Sequence, residues 1–523
     1  MSRGTAPRPP RTGRAPAPAR RTGALALLLS LLVGLVLASA AHASSGEVVA
    51  WGENSLGELG DGTTTPFTEQ PVAVCAPTYT GLGNCPASEH LKKVKAISAG
   101  GEHSLALLIN GTVLAWGTNE EGALGDGVLS GGFSDVPVLV CEVGWTPGTK
   151  CPAGHELKEV LQISAGDKWS NIALLKSGKV VTWGSNASGQ LGEGSFSPPY
   201  SPVPVYPCAA GVNVDNVTCP GGPYLTGVER VSAAPAHDVA ILKVKHEAVA
   251  WGANQYGQVG HKFWTSSLPT GTNRAEAVCA VEEAAGPPCP NHLKEVLAVS
   301  FGLKHNVALI QAKLKGVKGK RNEIVAFGED AFGQLGVASP GGPETCGNTV
   351  EPCSTVPVYV CETNYSGSGP CPTTQLGEAM DVGAGGSHSL ALLSSGQVRA
   401  WGENTYGSLG NNETSTREVP VPVCELGFGP PSTPCPSANY LTGISAISAG
   451  GFHNLALTTT GEVDSWGEDA SGQLGDGSTV NSPVPVRVCE GGWPGTGACP
   501  LGSHLTKVKA VSAGLYHSLA LVP

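Results

Sequence analysis

The chain has 523 residues, a formal net charge of −11, 73 glycines, 41 prolines and 16 cysteines. An acidic chain with one short basic run does not suit a polyanion such as nucleic acid as its principal partner. Length alone suggests about three domains, an estimate that the internal repetition below overrules.

Residues 1–43 read as a signal peptide. Arg3, Arg8, Arg11, Arg14, Arg20 and Arg21 precede an apolar run from Ala24 to Ala40, and Ala38-Ser39-Ala40 and Ala41-His42-Ala43 offer A-x-A cleavage sites. The run is at the lower limit for a bilayer span, so no membrane span is expected after cleavage; an uncleaved anchor is the alternative. Cleavage removes six positive charges and no negative ones, taking the formal charge from −11 to −17. Export implies an oxidising compartment, where cysteines pair.

Residues 44–523 are expected to form one domain. G-x-V-x-A-W-G-x-N-x-x-G-x-L-G first appears as GEVVAWGENSLGELG and recurs around Trp51, Trp116, Trp183, Trp251, Phe327, Trp401 and Trp466, at separations of 65, 67, 68, 76, 74 and 65 residues. A second motif, ISAGGEHSLALL in its first copy, alternates with it, and PVPV or a close variant follows. Each unit therefore offers four short β-branched or alternating segments bounded by turn residues, without helical periodicity. Seven four-stranded antiparallel units with no helix to cover them predict an all-β, seven-bladed β-propeller.

Within a blade, V-x-A-I-S-A-G is small enough for the innermost strand, and the proline-bearing PVPV suits the outermost, where a missing N–H costs least. The chain starts on a third strand and ends on a second. Gly46–Gly52 should therefore pair with His517–Val522, joining the N- and C-terminal strands in one blade and removing an exposed edge.

The paired segments A-W-G-x-N-x-x-G-Q-L-G and S-A-G-x-x-H-S-L-A-L resemble the repeats of the regulator of chromosome condensation family, here as a secreted, bacterial-type variant with cysteine-bearing loops after PVPV. The resemblance covers roughly residues 46–523. It implies a seven-bladed propeller and, by the family's name activity, guanine-nucleotide exchange on a small GTPase.

The cysteines fall into one pair per repeat: Cys75/Cys85, Cys141/Cys151, Cys208/Cys219, Cys279/Cys289, Cys361/Cys371, Cys424/Cys435 and Cys489/Cys499, with an additional Cys346/Cys353. Neither the close spacing of zinc ligands nor a redox C-x-x-C occurs, so each pair is expected to staple its own loop, with bridges between adjacent loops as the alternative. His103, His237, His305, His388, His453 and His517 recur at one position, which Trp169 is expected to take in the second repeat. A metal-binding ring is the alternative to a structural role in which these rings bond backbone groups of the strand turn. Gly-Asp-Gly at 60–62, 125–127 and 475–477 lacks the alternating oxygens of a calcium loop and reads as a turn. No nucleophile elbow, zinc-protease motif or P-loop is present, and no cofactor or metal is expected.

These observations favour a secreted, monomeric, non-catalytic scaffold binding a protein or cell-surface ligand. A secreted hydrolase or lyase and the family's exchange activity are the alternatives. The candidate binding face holds Tyr79, Trp145, Tyr365, Phe428 and Trp493, each four residues after a loop cysteine, and an elongated basic hairpin with Lys313, Lys315, Lys318, Lys320 and Arg321. Connections from outermost to innermost strands emerge on the same face as the hairpins joining second and third strands, so these features should share one face. Each aromatic ring is expected either on its own disulfide or in an exposed ring at the channel mouth.

Overall fold

A computed structural model describes Met1 and residues 45–523 except 168, 210–218, 220–221, 262–270, 283–288, 314–319, 339–343, 347–350, 364, 368–370, 372–374, 430–432, 494–496, 498 and 501. The expected signal peptide lies outside the described residues, Met1 apart.

Seven antiparallel sheets form the molecule, and the only described helices are single 3-10 turns such as Ala87–Glu89. No described helix is long and apolar enough to cross a membrane. Blade 1 runs outward through Val94–Ala99, His103–Leu108, Val113–Thr118 and Phe133–Leu139; blade 2 through Val160–Ala165, Ser170–Leu175, Val180–Ser185 and Tyr200–Val205. Blades 3 to 6 begin at Val228, Val296, Ala379 and Ile444 and repeat this order. Blade 4 departs from four strands: Glu344–Cys346 pairs outside Glu351–Tyr359 as a fifth, within the insertion closed by Cys346–Cys353.

Blade 7 is built from both ends of the chain. Ala510–Ala513 and His517–Val522 supply its inner strands, and Glu47–Glu53 and Phe67–Ala73 its outer ones. Glu47 pairs with Val522 and Gly52 with His517, the expected closure in the expected register. Trp51, Val48 and Ala50 are fully or almost fully buried on the strand that closes the ring.

The apolar cores lie between blades. Leu105, Val113 and Ala115 of blade 1 pack against Val160, Ile163, Ala173 and Trp183 of blade 2 in one such cluster. The repeat glycines make room for the indoles: at Gly125, where φ is +63°, an added Cβ would stand 2.7 Å from the Trp183 ring. Small residues suit the innermost strands because seven of them converge on the axis, each presenting a free sheet edge. Serines satisfy part of that edge across the seams, Ser98 Oγ accepting from Ala165 N–H at 3.0 Å and Ser512 Oγ from Ala99 N–H at 2.9 Å.

Candidate functional site

Each blade must hold its neighbour rigidly if the ring is to present loops, and the histidines do this. All six are buried. His103 Nε2 meets Asn171 Oδ1 of the next blade at 2.7 Å, and His517 Nε2 meets Ser104 Oγ at 2.9 Å. His237, His305, His388 and His453 reach Asn306, Ser389, Asn454 and Ser518 in the same way. The partner then donates to a carbonyl in the preceding blade's loop: Asn171 Nδ2 and Trp183 Nε1 both donate to Ala123 O, and Ser104 Oγ and Trp116 Nε1 both donate to Glu58 O. Because Oδ1 accepts, and the serine proton is committed to a carbonyl, the imidazole must donate from Nε2. Burial pushes His103, His237 and His388 down to about 4, and His305, His453 and His517 to about 3. The expected bond to turn backbone is thus replaced by a bond between blades. The side chain is long enough to cross the seam, where an Asn or Ser acceptor waits.

Trp169 does not take the histidine position. In blade 1 Gly100 N–H donates to His103 O, whereas in blade 2 Gly166 N–H donates to Ser170 O, one residue further on. Ser170 pairs with Gly184 as His103 pairs with Gly117. The turn carries one extra residue, which puts Trp169 at positive φ with its indole N–H on Glu102 Oε2 at 3.2 Å. The other half of this seam is also changed, since Asp238 stands where the other blades have Ser or Asn. Asp238 is fully buried, and neither carboxylate oxygen has a hydrogen-bond partner among the described residues. Burial raises its pKa well above 3.8. Trp251 Nε1 still donates to Gln190 O at 2.8 Å, the carbonyl at which Asp238 must act if it is to replace the six other donors.

The axis encloses a cavity of about 400 Å³ lined by inner-strand residues that include Ile97, Gln162, Arg230, Asp381 and Lys509. Gln162 bonds both backbone groups of Val231 in the next blade, and Asp381 accepts from Val382 N–H, so these two groups are engaged in backbone ties. Elsewhere His261 brings a ring nitrogen within 4.8 Å of the sulfurs of Cys279 and Cys289. Those sulfurs form a disulfide, and a metal would need thiolates. The departure at His261 is visible in the sequence, where Asp61, Asp126 and Asp476 stand in other repeats.

All sixteen cysteines pair within their own loops, Cys75–Cys85, Cys141–Cys151, Cys208–Cys219, Cys279–Cys289, Cys346–Cys353, Cys361–Cys371, Cys424–Cys435 and Cys489–Cys499, with Cα–Cα distances of 5.4–5.8 Å. Tyr79, Trp145, Tyr365, Phe428 and Trp493 are all half-buried. Trp145 packs on Cys141, Cys151 and Val203 of the following blade's outer strand, and donates to Thr149 O at 2.9 Å. Phe428 sits likewise on Cys424, Cys435 and Val484, and Tyr365 on Cys361, Cys371 and Val419. Tyr79 closes its own loop through Gly83 O, and Trp493 O accepts from Gln70 of the next outer strand. Trp145, Tyr365 and Phe428 therefore lie on the outer rim, each on its own disulfide, and Trp493 lies beside the next outer strand.

The basic hairpin is longer than its counterparts, with Gln311 opposite Asn322, Ala312 opposite Arg321 and Lys313 opposite Lys320. Lys320 meets Glu295 at 2.7 Å and Arg321 donates to Gln375 O, which places the hairpin between two stapled loops on their face. Lys315 and Lys318 lie outside the described residues.

Family profiles for the regulator of chromosome condensation repeat match residues 45–107, 395–457 and 460–521, and a second form matches 94–123, 160–190, 381–408 and 444–473. The chain carries repeats of the regulator of chromosome condensation type. Among similar proteins of this repeat type, the ultraviolet-B receptor UVR8 of Arabidopsis thaliana is 25% identical over 82% of this chain and 75% of its own length. The secretion-regulating guanine nucleotide exchange factor of Mus musculus is 26% identical over 92% of this chain and 85% of its own. The crystal structure of Prp20p from Saccharomyces cerevisiae shares the fold, with a TM-score of 0.60 at 19% identity and 94% of each chain covered. Between the matched segments 160–190 and 381–408 lie Asp238, His261, the long hairpin and Cys346–Cys353.

Proposed function

We propose that the protein is an exported, non-catalytic scaffold that binds a protein partner through the face carrying the stapled loops. The observation that carries this reading is the pairing of every cysteine within a loop of one rigid ring, since loops ordered before binding lose less entropy on recognition. The same cysteines favour an oxidising compartment, and the similarity to receptor and regulatory propellers supports binding over chemistry. The rim positions Tyr79, Trp145, Tyr365, Phe428 and Trp493, with Lys313, Lys315, Lys318, Lys320 and Arg321, are the proposed contact set. The test is affinity capture from the surrounding medium and cell surface with the oxidised chain from Ser44. One partner should be retained, and retention should fall more than about tenfold for Trp145→Ala with Trp493→Ala. Equal retention by the reduced chain would contradict the reading.

Nucleotide exchange is the second reading, favoured by the similarity to the secretion-regulating exchange factor over 85% of that protein's length. It predicts accelerated release of a labelled guanine nucleotide from a small GTPase. Finding the processed chain outside the cell would count against it.

A further inference from the structure

On the face opposite the stapled loops, the turn between first and second strands meets the loop following the third strand of the preceding blade. Between blades 3 and 4 this junction holds a lysine. The Lys304 ammonium lies 4.2 Å from the Tyr256 ring centroid and 2.8 Å from Glu329 Oε1. An aromatic face and a carboxylate together are a strong environment for a cation.

The junction between blades 4 and 5 has the same frame without the lysine. Glu403 N–H donates to Ser387 O at 2.9 Å as Glu329 N–H donates to Lys304 O at 3.0 Å. Phe332 N–H donates to Gln334 Oε1 as Tyr256 N–H does to Gln258 Oε1, both at 2.8 Å. Phe332 therefore corresponds to Tyr256, Glu403 to Glu329 and Ser387 to Lys304. Phe332 is 41% exposed. Glu403 forms no ion pair among the described residues, and its carboxylate accepts only from Thr405 Oγ1, at 3.2 Å. The aromatic and the acid are in place, and a small side chain stands where the ammonium would be. At the following junction Tyr406 and Phe452 meet edge-to-face at 5.3 Å, and Glu468 N–H donates to Phe452 O, so Glu468 stands at the repeat position of Glu329.

We propose that Phe332, Ser387 and Glu403 form a socket for a lysine or arginine side chain presented by a basic segment of a partner protein. The occupant follows from the intramolecular lysine one junction away and from the net charge of −11. The inference rests on the scaffold reading but assigns a second surface, on the other face from the stapled loops.

The test is fluorescence anisotropy with a labelled, alternating glycine–lysine dodecapeptide at low salt. The wild-type chain should bind it saturably, and added salt should weaken binding. Ser387→Lys, which supplies the cation internally, should weaken binding about tenfold, and Glu403→Gln or Phe332→Ala about fivefold each. Glu490→Gln, an exposed acid on the other face, should change it less than about twofold. Equal losses for Glu403→Gln and Glu490→Gln would mean general attraction to an acidic chain and would overturn the socket, as would unchanged binding by Ser387→Lys. The two readings separate in the capture experiment: a partner retained equally by wild type and Ser387→Lys leaves the scaffold standing and removes the socket. A wild-type chain that retains nothing removes the scaffold reading, and the peptide titration alone then decides the socket.

Discussion

The seam between blades 1 and 2 and the seam between blades 2 and 3 share a backbone frame but differ in what crosses them. At the first, His103 Nε2 donates to Asn171, which donates to Ala123 O, so the two donors that tie the seam each meet an acceptor. At the second, Ser170 turns to Ala234 O at 3.1 Å, and Asp238 is buried with neither oxygen in a hydrogen bond of good geometry, the Ala234 backbone alone favouring its charge. Both halves of one clamp have changed together, and the ring still closes. The difference teaches that apolar packing and strand closure hold the ring, while the clamps set how firmly each seam is held.

Deleting Gly46–Gly52 should have the largest effect, because it removes buried Trp51 and Val48 and reopens the edge at Leu519 and Leu521. The loss should exceed about 5 kcal/mol, seen as aggregation or a much lower melting midpoint. An unchanged midpoint would break the account of closure. His103→Ala should cost about 3 kcal/mol by leaving Asn171 Oδ1 without a donor beside a cavity. Ser170→Ala should cost only about 1 kcal/mol. Equal costs in denaturant titrations would erase the contrast between the seams.

Asp238→Asn sharpens the comparison from the other side. It gives this seam the amide that Asn171, Asn306 and Asn454 provide elsewhere, and should stabilise by about 1 kcal/mol at neutral pH. The gain depends on pH in a defined sense. Folded Asp238 holds its proton above 3.8, so its contribution is full below that pH and is lost as pH rises toward its folded value. The gain from Asp238→Asn should therefore grow on going to pH 8 and shrink toward pH 5. The histidine seams run the opposite way, since their folded values of about 3 to 4 lie below 6.5 and their stability is lost as pH falls through that window. Denaturant titrations at several pH values would show both slopes, and a gain that is flat with pH would contradict the assignment.

Most of the fold was legible because it is repeated. The tryptophan spacing, the strand order and the pairing of Gly52 with His517 all follow from motifs that recur in every unit. The disulfides followed from cysteine spacing, and the long hairpin from an inserted basic run. The role of the histidines was not legible, because a bond from His103 to Asn171 spans 68 residues and depends on how blades abut. Trp169 was misplaced because one inserted turn residue shifts the register by one, and only pairing with Gly184 reveals Ser170 as the counterpart. The rim aromatics repeat in sequence, but their burial depends on valines such as Val203 and Val484 from the following blade. The lysine junction at Tyr256 and Glu329 likewise joins residues of two blades, and neither carries a motif.

Native-state hydrogen exchange, read at the turn amides of Gly100, Gly166, Gly302, Gly385, Gly450 and Gly514 and at Ala234, tests the seam account most directly. The account predicts that at pH 8 the amides of Gly166 and Ala234, which flank the Ser170–Asp238 seam, exchange fastest of the set. Asp238→Asn should slow them, though not to the rate of the seams that also hold a histidine, and leave Gly450 and Gly514 unchanged. Uniform exchange in the wild-type chain, or slowing of every seam alike in the variant, would contradict it.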